Sequence, residues 1–481
     1  MSFALIARIQ GFLLLFLGAA MCVPVLIALL CREVAWQGLL GSACCTVIAG
    51  ATLIFSCRAV EKQISQREGF LIVAIGWILA SLFGSLPFFV QGYLPSFTDA
   101  FFETVSGFTT TGATVISNVE ALPRAVLFWR SMIQWLGGMG IILFSIAIVP
   151  LLGIGGMQLY KAEVPGPVIE KIKPRIAETA RSLWKVYILL SLGQTLLLML
   201  CGMDVYEAVC HTFTTMATGG FSTRNKSIES FGNPWIELIV IVFMVAAGIN
   251  FTLHYHLLHG RVSRMFRDRE FQFYCAVLCL ATLLVTQLLC MGSRIDMVSA
   301  LRQACFQAVS IMTTTGYSTC NFDVWPSAAR FILLMLMLIG GCAGSTGGGI
   351  KCIRVLLLCK QIYRELFCMV HPNAVVSIKL AGKPVPETVL RPLTHFILVY
   401  LMVWATGTAA LTWCGLDMVT ALSSAAATLG NIGPGLAGVG PYETFAWIPP
   451  PGKWILIMLM LFGRLELFTL LLIFVPAFWK K

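Results

Sequence analysis

The chain has 481 residues, of which 58% are hydrophobic and 11% charged. A soluble domain carries about 25% charged residues, so this composition excludes one and describes a polytopic membrane protein. The formal net charge of +11 does not indicate nucleic acid, because the basic residues gather in alternate loops, as in the positive-inside pattern.

Spans of about 20 apolar residues suffice to cross a bilayer. Ten are expected in chain order: 8–30, 39–57, 69–90, 127–150, 183–201, 235–258, 271–291, 327–350, 393–414 and 453–478. The apolar run from Gly11 to Leu30 is longer than the roughly 7–15 residues of a signal-peptide core, so it reads as a membrane helix. Between spans three and four, five and six, seven and eight, and nine and ten lie four small-residue knots. They are Thr109-Thr110-Thr111-Gly112-Ala113, Ala217-Thr218-Gly219-Gly220-Phe221, Thr313-Thr314-Thr315-Gly316-Tyr317 and Gly430-Asn431-Ile432-Gly433-Pro434.

Each knot follows an aspartate and a moderately apolar run, beginning at Asp99, Asp204, Asp296 and Asp417. Aspartate suits a helix N-cap, and its charge suits the positive helix end. The runs are too short to cross, so each is expected to be a half-helix that enters from outside, stops, and returns through its knot. The expected fold is all-α and integral to the membrane: two N-terminal helices, then four membrane–pore-loop–membrane repeats in pseudo-fourfold arrangement. Its divisions are a hairpin (1–65), pore repeat 1 (66–160), a cytoplasmic linker with repeat 2 (161–262), repeat 3 with a glycine-rich intramembrane loop (263–370), and a second linker with repeat 4 (371–481).

With the N-terminus inside, the inner segments hold 23 of the 33 Lys and Arg residues and the outer segments 8. The outer segments hold 12 of the 22 acids, and a negative vestibule concentrates cations. Irregular backbone at membrane depth is tolerated where it is buried in protein or lines a cavity. Four such loops can form a filter in which carbonyl oxygens replace an ion's hydration shell. The candidate filter residues are Thr110, Thr111 and Gly112; Thr218, Gly219 and Gly220; Thr314, Thr315 and Gly316; and Asn431, Ile432 and Gly433. Thr111, Thr218, Thr315 and Asn431 are read as adding side-chain oxygens or bracing the loops. Oxygen ligands suit hard cations, not copper or zinc, and do not by themselves separate K⁺ from Na⁺.

Six of the ten residues from Gly340 to Gly349 are glycine, which breaks the eighth span, since each costs about 1 kcal/mol in a helix interior. This segment reads as a movable barrier under the filter, with Gly344, Ser345, Thr346, Gly347, Gly348, Gly349 and Lys351 as gate candidates. The bland reading is a glycine face for close helix packing. Arg464 lies inside the last span, where an ionisable residue is a functional candidate; its guanidinium would repel a passing cation. A structural salt bridge is the alternative for it, although Glu466, two positions on, faces elsewhere on a helix.

His254, His256 and His259 form one cluster, but no second one exists for an integral-membrane metalloenzyme, and the chain reads as no enzyme. The seventeen cysteines lack zinc-site spacing, and those in apolar stretches, including Cys22, Cys44, Cys45, Cys279, Cys290, Cys342 and Cys359, read as small packing residues.

The sequence resembles the Trk/Ktr/HKT superfamily of potassium transporters over nearly its whole length, and within it the bacterial TrkH/TrkG type. The resemblance rests on Gly107–Gly112, Gln134–Gly140, Tyr160–Pro167, Ala217–Thr223, Gly340–Gly349, His371–Asn373 and Gly463–Glu466. It implies a homodimer with one pore per protomer, embedded in the bacterial inner membrane with both termini cytoplasmic. It also implies potassium as the transported ion, no cofactor in this chain, and a TrkA-type cytoplasmic regulatory ring carrying the nucleotide sites. A sodium-permeable or Na⁺/H⁺-coupled transporter of the same superfamily is the alternative. The sequence departs from the family at Arg224-Asn225, where members often carry His-Asp, and at Cys320 and Gly430.

Overall fold

The computed structural model describes residues 1–57, 65–140, 176–292, 295–380 and 383–480. Expectations for the inner half of span four, the Tyr160–Pro167 stretch and the basic residues Arg58, Lys62 and 161–175 lie outside the described residues.

Among the described residues, six helices are long and apolar enough to cross a membrane: Phe3–Leu30 (α1), Trp36–Ser56 (α2), Arg67–Val90, Ala180–Leu200, Arg269–Gly292 and Glu387–Trp413. Two bent pairs add candidate spans: Pro234–Ala247 with Phe251–Leu258, turned by 104°, and Pro450–Arg464 with Phe468–Phe474, turned by 118°. The remaining expected spans coincide with Arg124–Gly138 (α3), which runs to the edge of the described residues, and with Ser327–Leu338, which stops before the glycine-rich segment. A helix resumes at Cys352.

Spans six and ten are thus not the straight helices their composition suggests. The first bends where Asn250 caps a new helix by accepting from Thr252 N. The second bends at Glu466 and Leu467, whose φ angles are 53° and 42°, a region that costs an L-residue about 1–2 kcal/mol.

The helices α1 and α2 form a close hairpin in which a methyl on Gly11 would lie 2.8 Å from the Gly50 carbonyl, the small-residue contact expected where hydrophobic burial cannot drive association. Four half-helices lie deeper: Phe97–Phe108 (α4), Val205–Met216 (α5), Met297–Met312 (α6) and Met418–Leu429 (α7). Each is too short to cross, and each ends at one of the four knots.

Three of the expected aspartate caps form. Asp204, Asp296 and Asp417 accept from the amides of Tyr206, Ser299 and Thr420. The fourth differs: Ser96 is the N-cap of α4, and Asp99, one turn in, pairs with Lys453 at 2.6 Å. Hydrogen bonds from the amide and hydroxyl of Ser299 hold the Asp296 carboxyl below its ordinary pKa, and the Thr420 hydroxyl and amide do the same for Asp417.

The described cysteines are all free thiols. The packing expectation fits Cys342, which is buried, whereas Cys22, Cys44, Cys45, Cys279 and Cys359 sit on outer helix surfaces.

Candidate functional site

All four half-helices end in the same way. The amides of Thr111, Gly219, Thr315 and Ile432 reach back to the carbonyls of Ser106, Thr214, Ser310 and Ala427 at 2.8–2.9 Å. This is the closure of a helix whose next residue is left-handed. That residue is Thr110, Thr218, Thr314 or Asn431, with φ of 55°, 53°, 59° and 55°. Gly112, Gly220, Gly316 and Gly433 follow two positions on, with φ of 80°, 73°, 79° and 103°. The equivalent set is therefore Thr110, Thr218, Thr314 and Asn431. Thr111 and Thr315 stand one position further on than Thr218 and Asn431 do in their loops.

The loops meet in a closed collar. A side chain on Gly112 would collide with the Gly219 carbonyl oxygen, on Gly220 with that of Thr315, and on Gly316 with that of Ile432. The circuit closes because one on Gly433 would lie 2.7 Å from the Thr111 oxygen. Glycine is required twice over at each position, by the positive φ and by the neighbour's carbonyl. Four carbonyls and four glycines thus alternate around the circuit.

The collar is braced by buried polar side chains. The hydroxyls of Thr109 and Thr111 lie 2.8 Å apart, as do those of Thr313 and Thr315. Asn431 Nδ2 donates to Thr111 Oγ1 at 2.9 Å and to the Met460 carbonyl at 3.0 Å, tying the fourth loop to the first. Tyr317, in the third loop, donates to the His211 carbonyl at 3.1 Å. Arg130 and Glu103, 3% and 0% exposed, pair at 2.7 Å. Glu103 also accepts from Thr114 Oγ1 and Val115 N, while Arg130 donates to the Ser222 carbonyl and lies over the Phe221 ring. This pair fastens the returning limbs of the first and second loops.

The glycine-rich segment lies against the collar where the half-helices end. Gly348 N donates to Thr314 Oγ1 at 2.8 Å, and Gly348 packs on Gly430 and Asn431. Thr346 Oγ1 donates to the Met216 carbonyl at 3.1 Å, the end of the second half-helix. Gly344 and Gly349 have φ of 72° and 67°. Lys351, 3% exposed, donates to the Gly347 carbonyl. Arg464 donates to Thr346 O at 2.8 Å, to Gly138 O at 3.0 Å and to Gly137 O. The segment and Arg464 thus touch all four quarters. Glu466, two positions on, pairs with Arg354 at 2.6 Å.

Sequence reasoning missed three groups here. Glu270 accepts from Ala343 N at 2.7 Å and Ile353 N at 3.0 Å, pinning both limbs of the segment. Arg354 holds Glu466, and Gln134 reaches the second loop. The sequence signal for Glu270 is no more than a carboxylate directly before the span 271–291. The histidine cluster does not assemble: His254 meets the Ala246 carbonyl, His259 the Tyr255 carbonyl, and His256 the Arg264 guanidinium. Among the described residues there is no group of three metal-ligating side chains.

Fold and site together define a multi-pass helical membrane transporter. A family described as "TrkH: Cation transport protein" matches residues 39–481. The chain is 44% identical to the Trk system potassium uptake protein TrkH of Salmonella typhimurium and to that of Escherichia coli K12, with 100% of each chain covered. It is 34% identical to TrkG of Escherichia coli K12, covering 99% of this chain and 98% of that one. The crystal structure of the potassium transporter TrkH from Vibrio parahaemolyticus superposes with a TM-score of 0.90 at 41% identity, with 100% of both chains covered. The chain belongs to the TrkH family of cation transport proteins, which are transporters and not enzymes.

Proposed function

We propose that this chain carries potassium into the cell through the collar, with Thr110 to Gly112, Thr218 to Gly220, Thr314 to Gly316 and Asn431 to Gly433 as the selectivity filter. The observation that carries the reading is the closed circuit of carbonyls against glycines. Oxygens fixed at four sides of one axis replace a monovalent cation's water shell. Four helix C-termini, each near −0.5 elementary charge, favour a cation beneath them. The names of the full-length relatives, potassium uptake proteins, support potassium as the cargo.

The proposed architecture is ten crossings: the hairpin, then four membrane–pore-loop–membrane repeats divided at about residues 66, 161, 263 and 371. Gly344 to Gly349, Lys351 and Arg464 form the closed barrier, and its displacement opens the path. The membrane potential drives entry with about 2.3 kcal/mol per charge per 100 mV. A TrkA-type nucleotide-binding ring on the inner face controls opening, and two copies of the chain assemble with one pore each.

No observation favours a sodium-permeable member. The one added positive charge at the outer mouth, Arg224, is compensated by Glu207 at 2.6 Å. Growth of a potassium-uptake-deficient bacterium at low K⁺, with the regulatory ring co-expressed, tests the reading. Rescue is expected. Failure of a variant-free chain present in the membrane at normal yield contradicts it.

A further inference from the structure

We propose that Gln134 is a specificity-determining positioning residue, holding the quarter of the collar that has neither the threonine pair of quarters one and three nor the tie to a neighbouring loop of quarter four, its Thr218 hydroxyl bonding only to the adjacent Ala217 carbonyl. The inference rests on the filter reading above.

The residues just before the four ring glycines are Thr111, Gly219, Thr315 and Ile432. In quarters one and three, the threonine hydroxyl is held by a second threonine two positions earlier, Thr109 or Thr313, at 2.8 Å. Quarter four carries an isoleucine, and its neighbour Asn431 is tied to Thr111 and Met460. In quarter two, the corresponding residues are Ala217 and Gly219, and neither offers a hydroxyl.

The missing brace comes from another element. Gln134, on α3 and 0% exposed, donates from Nε2 to the Gly219 carbonyl at 2.6 Å, and its Oε1 accepts from Phe221 N at 3.1 Å. The two bonds fix the amide's orientation, because only the nitrogen can donate to a carbonyl and only the oxygen can accept from an N–H. A Cβ on Gly219 would run into the Gln134 carboxamide, so the side chain occupies the space that threonine fills in quarters one and three. Gly219 O is itself one of the four collar carbonyls, the one against Gly112.

Glycine has the widest backbone freedom of any residue. Without the amide, the Gly219 peptide is free to turn, and one oxygen of four leaves its place. A collar loosened on one side closes around a smaller ion as well as around potassium, so selectivity falls more than rate. A purely structural role predicts the opposite pattern, in which both ions are lost in proportion.

The test uses the full-length protein in vesicles, with K⁺ and Na⁺ uptake measured on the same preparation. Gln134→Met keeps the volume and removes both bonds. Gln134→Glu keeps the shape and the acceptor for Phe221 N, loses the donor, and decides the matter should the methionine variant fail to reach the membrane. In each, the K⁺/Na⁺ uptake ratio is expected to fall about fivefold, the factor carried by one ordinary hydrogen bond, with K⁺ uptake changing less than the ratio. An unchanged ratio, or a proportional loss of both ions, overturns the inference. Gly316→Ser, measured alongside, separates the two readings. If it lowers the ratio while the Gln134 variants do not, the role of Gln134 falls and the filter stands. If none of the variants alters the ratio, the filter reading falls as well.

Discussion

The collar and the glycine-rich segment against it, the proposed barrier, are both rich in glycine, yet they are held together on different terms. In the collar, one local arrangement recurs four times: half-helix, left-handed residue, glycine against a neighbour's carbonyl. The barrier has no repeat. Gly340–Lys351 is fastened by unrelated long-range contacts from Glu270, Arg464, Thr314, Met216 and the Ala247–Gly248 bend. A collar whose parts hold one another can stay rigid, as selection among ions demands. A segment hung from a few separate bonds can leave its place when those bonds are exchanged.

Four changes break or sharpen that contrast. The largest effect is expected where the collar's outer fastening carries buried charge. Arg130→Met leaves Glu103 buried without its partner, a loss of about 3–5 kcal/mol; a sharp drop in thermal stability in detergent is the expected readout, and an unchanged unfolding temperature would show that the pair fastens nothing. Next comes Gly316→Ser, which forces a side chain onto the Ile432 oxygen and a φ that costs about 1–2 kcal/mol. The protein should reach the membrane but discriminate poorly between K⁺ and Na⁺ in vesicle uptake.

On the barrier side, Arg464→Ala removes ties to two quarters at once, those to Thr346 and to Gly137 and Gly138. Ion flux should rise several-fold with little change in the K⁺/Na⁺ ratio; flux at or below wild type would remove Arg464 from the barrier. The smallest effect belongs to the periphery. Asp417→Ala deletes one half-helix cap, worth about 1 kcal/mol, and should lower stability slightly while leaving selectivity intact, as thermal unfolding and uptake ratios can check.

The same contrast explains what the sequence made legible. The half-helices and ring glycines could be read because recurrence turned four weak signals into one strong one, and three aspartates cap as their chemistry requires. The first repeat broke the pattern because Lys453 draws Asp99 into an ion pair, a contact 354 residues distant in sequence. The bends at Asn250 and Glu466 were hidden in continuous apolar composition, which reports depth in the bilayer and not direction. Gln134 stood in a recognised motif, but its partner Gly219 lies 85 residues away, beyond anything that spacing can indicate.

A structure of the protein grown in rubidium, with the ion located by its anomalous scattering, puts the central claim to its most direct trial. A peak on the collar axis, ringed by the carbonyl oxygens of Thr111, Gly219, Thr315 and Ile432, is the predicted result. Rubidium bound only elsewhere, with the axis vacant at saturating ion concentration, would contradict it.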